Sequence, residues 1–94
     1  MSVYVIARVA VHDRAPYDRY AAGFAAVLRQ YGGRLLSADE RPQSLEGSDD
    51  RKVVLLAFDD RDAALTWANS PEYRAIAEDR DAGAVVEAVL AAGT

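Results

Sequence analysis

The sequence predicts one α+β domain of ferredoxin-like type, with a four-stranded antiparallel sheet and two helices on one face. Three observations predict it. Ninety-four residues allow a single compact domain and no second one. Strand-like and helix-period runs follow one another in the order β-α-β-β-α-β. The first and third strand-like runs are the most continuously apolar, as the central strands of such a sheet must be. Right-handed crossovers then give the sheet order 4-1-3-2.

Val3 to Val11 (VYVIARVAV) is short and rich in β-branched residues, which favours a strand. Asp13 stands where a helix N-cap belongs. Behind it Tyr17, Tyr20, Ala21, Phe24, Leu28 and Tyr31 recur at three- and four-residue steps, so they share one helix face. Pro16 lies in the first turn, where its missing N–H is not needed. Gly32 and Gly33 are expected to end this helix by supplying positive φ.

Arg34 to Ala38 reads as a short second strand, which Gln43 to Glu46 would continue after an irregular stretch. Lys52 to Phe58 (KVVLLAF) is the third strand. Asp59 or Asp60 caps a second helix carrying Ala64, Leu65, Trp67 and Ala68. Ser70-Pro71-Glu72 is a fresh start signal: a cap, a proline at the first helical position and an acid in the first turn. The helix is therefore expected to break at Asn69 and Ser70 and to resume through Tyr73, Ile76 and Ala77. Gly83 precedes the last strand, Ala84 to Ala91.

Composition narrows the function classes. Apolar residues make up 51% and charged residues 28%, as in globular domains. The net charge of -4 argues against a nucleic-acid partner, which needs clustered positive charge. No cysteine is present, so neither a disulfide nor a thiol nucleophile is available. The longest apolar runs fall far short of the roughly 20 residues that span a bilayer, so no membrane partner is expected. The chain enters a strand at once without a signal-peptide layout, and a cytoplasmic location is expected. Ten Arg against one Lys, with Ala at nineteen positions, reads as a GC-rich coding bias, which weakens arginine abundance as evidence for a ligand clamp.

Side-chain parity speaks to assembly. Val53, Leu55 and Ala57 point opposite to Val54, Leu56 and Phe58, while Val3, Val5, Val9 and Val11 oppose Tyr4, Ile6 and Ala10. Both faces of the central strands are thus apolar, and two helices cover only one. A second copy of the chain is the expected cover, most simply as a C2 homodimer.

Several segments carry a resemblance: the opening YVIARVAVHD, Tyr17 and Tyr20 at the helix start, YGGR (Tyr31 to Arg34), LEG (Leu45 to Gly47) and above all NSPEYRA (Asn69 to Ala75) after Trp67. Over nearly its whole length the chain resembles the family catalogued as domain of unknown function 1330. The resemblance implies a dimeric α+β barrel in which two ferredoxin-like sheets face one another. The wider superfamily holds cofactor-free monooxygenases, isomerases and polyketide-modifying enzymes, and also haem enzymes and ligand-sensing domains. His12-Asp13-Arg14 departs from the Thr-Asp-Pro that members more often carry, so no role is inherited by His12.

Three residues are candidates for catalysis. His12 is the only histidine and the natural general acid or base; the alternative is a partly exposed turn residue beside Asp13. Arg8 shares strand parity with His12, roughly 13 Å away at about 3.3 Å per residue. An arginine in mid-strand needs a partner or a ligand. It either pairs with Glu87 on the neighbouring last strand or clamps a carboxylate or enolate. Tyr17 completes the set.

Tyr20, Trp67 and Arg80 are the candidates for ligand binding. Tyr17, Tyr20, Phe24, Tyr31 and Trp67 lie on core-facing stripes and either fill the core or line an apolar slot whose phenols orient a substrate. Arg80, at a position where the resemblance also implies Arg, either binds an anion or complements a helix C-terminus. Ser70 is a helix cap, since no Ser-His-Asp arrangement is visible. One His, no Cys and scattered carboxylates offer no metal-ligand set, and no phosphate loop exists. No cofactor is expected; a haem would need His12 in a chain much shorter than the haem-binding relatives.

Two functions remain open. One is a cofactor-independent enzyme, of monooxygenase or isomerase/cyclase type, acting on a small apolar or aromatic molecule through His12, Arg8 and a tyrosine. The other is a non-catalytic ligand-binding or structural dimer. A deep pocket containing His12 or Arg8 favours the first, and a core packed solid by the aromatics favours the second.

Overall fold

Seven elements follow one another in the computed structural model, which describes residues 1–94: β1 (Val3–Val11), α1 (Arg14–Gln30), β2 (Arg34–Asp39), β3 (Lys52–Phe58), α2 (Arg61–Ala68), α3 (Pro71–Gly83) and β4 (Ala84–Ala92). All paired strands are antiparallel and the sheet order is β2-β3-β1-β4, the expected order read from the other edge. The architecture is ferredoxin-like. No helix is long and apolar enough to cross a membrane.

Register decides which residues meet the helices. Val3 pairs with Phe58 and Ala92, Val5 with Leu56 and Leu90, and Ala7 with Val54 and Ala88. This face packs with Tyr17, Tyr20, Leu28, Trp67 and Tyr73, and Phe58 at the end of β3 is fully buried. Tyr4, Ile6, Arg8, Val53, Leu55, Glu87 and Val89 lie on the other face, which no helix covers.

The helix boundaries follow side-chain chemistry. Asp13 accepts from Ala15 N at 3.3 Å, Asp60 from Ala63 N at 2.8 Å, and Ser70 Oγ from Tyr73 N at 3.1 Å. The Ser70 hydroxyl also donates to Trp67 O at 2.8 Å, so one buried side chain closes α2 and opens α3. The expected break is therefore real, and the helix layer counts three helices rather than two. At the end of α1, Gly33 N donates to Leu28 O and Gly32 N to Arg29 O, a Schellman pair.

Three expectations need correction. Of Gly32 and Gly33 only Gly32, at φ 78°, takes the left-handed conformation; Gly33 is required by space, since a Cβ there would lie 2.3 Å from Leu28 Cδ1 and 2.8 Å from two Phe58 ring carbons. Gln43 to Glu46 is loop and not strand. Ser44 Oγ bonds both the N–H and the C=O of Asp49, and Gly47 turns at φ 73°, so the chain curls there instead of extending. The flanking strands are each one residue longer than expected, β2 ending at Asp39 and β4 at Ala92.

Candidate functional site

Between the helix layer and the covered face of the sheet lies a cavity of about 440 Å³. Small-molecule sites commonly measure about 300–1,000 Å³. Of its 23 lining residues 21 are hydrophobic; the other two, Lys52 and Arg80, are both cations, and no carboxylate joins them. Exposed residues such as Leu65 and Ala38 are part of the lining, so the cavity opens to the surface.

The polar atoms of this cavity come from three helices and one strand. Tyr17 and Tyr20 lie one turn apart on α1, Trp67 on α2, Tyr73 and Arg80 two turns apart on α3, and Lys52 begins β3. Arg80 Nη1 donates to Tyr73 Oη at 3.0 Å, and the Tyr73 and Tyr20 hydroxyls meet at 2.9 Å. Arginine can only donate, so Tyr73 Oη is an acceptor in the first bond. Either hydroxyl can be the donor in the second bond, so the three side chains form one hydrogen-bonded chain whose free hydrogen can sit at either tyrosine. When Tyr73 donates, the Tyr20 hydrogen is free for a ligand in the cavity. Burial pushes the Tyr20 phenol well above its ordinary pKa, and the neighbouring Tyr73 adds to this. Tyr20 is therefore a neutral phenol and not a base.

Trp67 packs against the Tyr73 ring at 4.3 Å, tilted by 46°, and edge-on to Phe24 at 6.2 Å. The residue is 5% exposed, and its indole Nε1–H is buried without an acceptor. An unsatisfied buried donor costs about 1–3 kcal/mol, so native proteins rarely keep one without reason. Lys52 Nζ stands 5.1 Å from the centroid of the Tyr17 ring and 3.6 Å from Glu40 Oε1.

Four of the six expected site residues come together here: Tyr17, Tyr20, Trp67 and Arg80. His12 and Arg8 do not. His12 is exposed in the turn after β1, where its backbone N–H donates to Gly83 O at 2.9 Å. Arg8 projects from the uncovered face of the sheet. The expected Arg8–Glu87 ion pair is not made, although the two residues are direct cross-strand partners. Arg8 instead pairs with Asp49, and Glu87 with Arg51, which also grips Asp49 through Nε at 3.0 Å and Nη2 at 2.8 Å. The long β2–β3 connection carries Asp49 and Arg51 to that face and inserts them between the two strand residues. The hydrogen bonds from Arg51, side chain first and backbone second, hold the Asp49 carboxyl well below the usual carboxylate range.

Two site residues escaped the sequence reading. Tyr73 precedes Arg80 by seven positions, two turns along one helix face, and that spacing was the available signal. Lys52, the one lysine, has the strand parity of Val54 and Leu56, which points it to the covered face.

Fold and site together define a ferredoxin-like α+β domain with a donor-lined apolar cavity under its helices. The chain belongs to the family described as Domain of unknown function (DUF1330), whose model matches residues 2–94. No curated protein matches it in sequence. Among solved structures it is similar to RPA0582, a protein of unknown function from Rhodopseudomonas palustris, at 15% identity and a TM-score of 0.82, covering 99% of this chain and 82% of that one. It is similar to SnoaB, a cofactor-independent oxygenase from Streptomyces nogalater, at 20% identity and a TM-score of 0.65, covering 99% and 93%. A dimeric ferredoxin-like protein of unknown function from Jannaschia sp. CCS1 shares 14% identity at a TM-score of 0.71, covering 99% and 100%. At these identities the likeness shows the fold.

Proposed function

We propose that the chain is a homodimeric, cofactor-independent enzyme of monooxygenase or isomerase/cyclase type, acting on a small apolar or aromatic molecule in the cavity. The observation that carries this reading is the hydrogen-bonded chain linking Arg80, Tyr73 and Tyr20 in an otherwise apolar cavity. Both reaction types pass through a substrate carbanion or enolate whose charge develops on oxygen. Fixed donors aimed at such an oxygen in a water-poor site are a major source of rate. In this reading Tyr20 is the donor that touches substrate, Tyr73 and Arg80 polarise it, and Tyr17 and Trp67 shape the apolar wall. His12 and Arg8 lie outside the lining and carry no part of the chemistry. The fold likeness to SnoaB supports the reaction class. The homodimer is supported by the apolar uncovered face and by the dimeric relative from Jannaschia.

A second reading, a non-catalytic ligand-binding dimer, is favoured by one observation. The lining holds no histidine and no carboxylate, so the cavity offers no base of its own. Trp67 is the only tryptophan, and its emission reports cavity occupancy. A panel of polycyclic phenols and enolisable diketones, followed by Trp67 emission and by oxygen uptake and product analysis, separates the readings. Binding with turnover that Tyr20→Phe and Tyr73→Phe both lower supports the enzyme. Binding without turnover supports the module. No binding by any member of the panel contradicts both.

A further inference from the structure

We infer that the cavity selects an anion: a largely apolar molecule bearing one ionised oxygen group, a carboxylate or an acidic enol. The inference rests on the cavity being a ligand site, as proposed above, and adds the chemical class of what enters it.

The first support is the hydrogen-bonding character of the lining. Its polar side chains are rich in donors: the Lys52 ammonium, the Arg80 guanidinium and the Tyr17 and Tyr20 hydroxyls, with the unpartnered Trp67 indole N–H buried in the wall. Lysine, arginine and tryptophan have no acceptor to offer, and the ionised carboxylate is the matching group that only accepts. The two cations are the sharpest element, and the Trp67 N–H adds a buried donor in the wall for which the protein supplies no oxygen.

Charge provides the second support and distinguishes an anion from a neutral carbonyl. The side chains of Lys52 and Arg80 are only 14% and 25% exposed. Their carboxylate partners, Glu40 and Asp81, are exposed and do not line the cavity. The Lys52–Glu40 contact, at 3.6 Å, is too long for a hydrogen bond. The two cations cap the ends of one aromatic row. Lys52 lies over Tyr17, Tyr17 packs on Tyr20 at 5.7 Å, Tyr20 on Tyr73 at 6.1 Å, and Arg80 lies over Tyr73. Positive charge at both ends with no acid between them favours the ionised form of an acidic ligand by lowering its pKa.

The missing base then has an explanation. A ligand that arrives deprotonated needs none, and the cavity's task reduces to holding and polarising the anion. A neutral ligand would cover two largely buried cations with an apolar body, and only their exposed carboxylates and the aromatic rings would offset the lost solvation.

Isothermal titration calorimetry of the intact chain with matched probes tests this. Naphthoate is compared with naphthamide, and hydroxynaphthoquinone, an acidic enol, with menadione, its neutral analogue. We expect at least one ionised probe to bind tenfold or more tighter than its neutral partner at low ionic strength. The gap should narrow as salt is added, a measurement that needs no variant. Lys52→Gln and Arg80→Gln should each lower the affinity of the ionised probe toward that of the neutral one. Preference for the carboxylate pair or the enol pair identifies the source of the charge. Equal or tighter binding of both neutral probes overturns the anion inference while the cavity remains a ligand site. No binding by any of the four overturns the inference together with the reading it rests on.

Discussion

The hydroxyls of Tyr20 and Tyr73 meet at 2.9 Å although 53 residues separate them. This bond ties α1 to α3 above the cavity, and Arg80 extends it by one further donor. Local helix geometry sets each end of the chain. Tyr17 and Tyr20 are neighbours on one helix face, and Tyr73 and Arg80 on another. Packing of the two helices then brings the hydroxyls together.

A double-mutant cycle on this pair should show coupling. Tyr20→Phe removes one neutral bond, worth about 0.5–1.5 kcal/mol net. Tyr73→Phe should cost more, because Arg80 loses a buried acceptor as well. Urea unfolding of both single variants and the double variant checks this. A Tyr73→Phe loss no larger than that of Tyr20→Phe, with no coupling, would show that the chain does not act as a unit.

Ser70→Ala should destabilise by about 1–2 kcal/mol, the loss of a cap together with a second buried hydrogen bond. In a domain of this size that corresponds to roughly 4–8 °C in Tm per kcal/mol. Thermal denaturation by circular dichroism reads it. An unchanged Tm would mean that α2 and α3 do not depend on the Ser70 hydroxyl for their junction.

The helix break was legible because its determinants are local: Ser70, Pro71 and Glu72 stand side by side in the chain. The strand order was legible for a similar reason, since the apolar runs of β1 and β3 mark the central strands. The partner of Arg8 was not. Strand register brings Arg8 opposite Glu87, but Asp49 and Arg51 reach them on a connection whose path depends on the Ser44–Asp49 bonds and the Gly47 turn. Register predicts neighbours within a sheet and says nothing about a loop that folds across it. For the same reason the cavity could be anticipated only as a slot, while its second cation, Lys52, needed the covered face to be known.

Acid stability should carry the mark of Asp49. Its folded pKa is depressed, so the stability it contributes is present above the unfolded carboxylate value, about 3.9, and is lost as pH falls toward the folded value. Asp49→Asn should therefore unfold at lower urea than the wild type near neutrality, with the gap closing progressively below about pH 4. A gap that stays constant with pH would place the effect of the substitution elsewhere than in the charge of Asp49.

Gly83→Ala should be among the costlier small substitutions. A Cβ there would lie 2.5 Å from Asp13 O and 2.8 Å from Tyr17 N, both backbone atoms, and Gly83 O itself holds the His12 and Asp13 amides. Overpacking of this kind costs about 1–3 kcal/mol. Equilibrium unfolding measures it, and a loss under about half a kcal/mol, the range of ordinary surface changes, would contradict the contact.

The proposed homodimer predicts a mass in light scattering near twice 10.2 kDa at micromolar concentration. Val85 projects exposed from the uncovered face, so Val85→Lys should weaken the dimer and leave the protomer's circular dichroism unchanged. A wild-type mass equal to one chain would remove the dimer from the account.

The central claim, that a small molecule occupies the cavity against the helix donors, is tested most directly at the indole of Trp67. With one tryptophan in the chain, the ¹H–¹⁵N spectrum holds a single indole N–H signal. Addition of a binding probe should shift that signal, because Trp67 lines the cavity, and Tyr20→Phe should weaken the binding. A probe that binds by calorimetry and leaves the indole signal where it was would place the ligand elsewhere and contradict the claim.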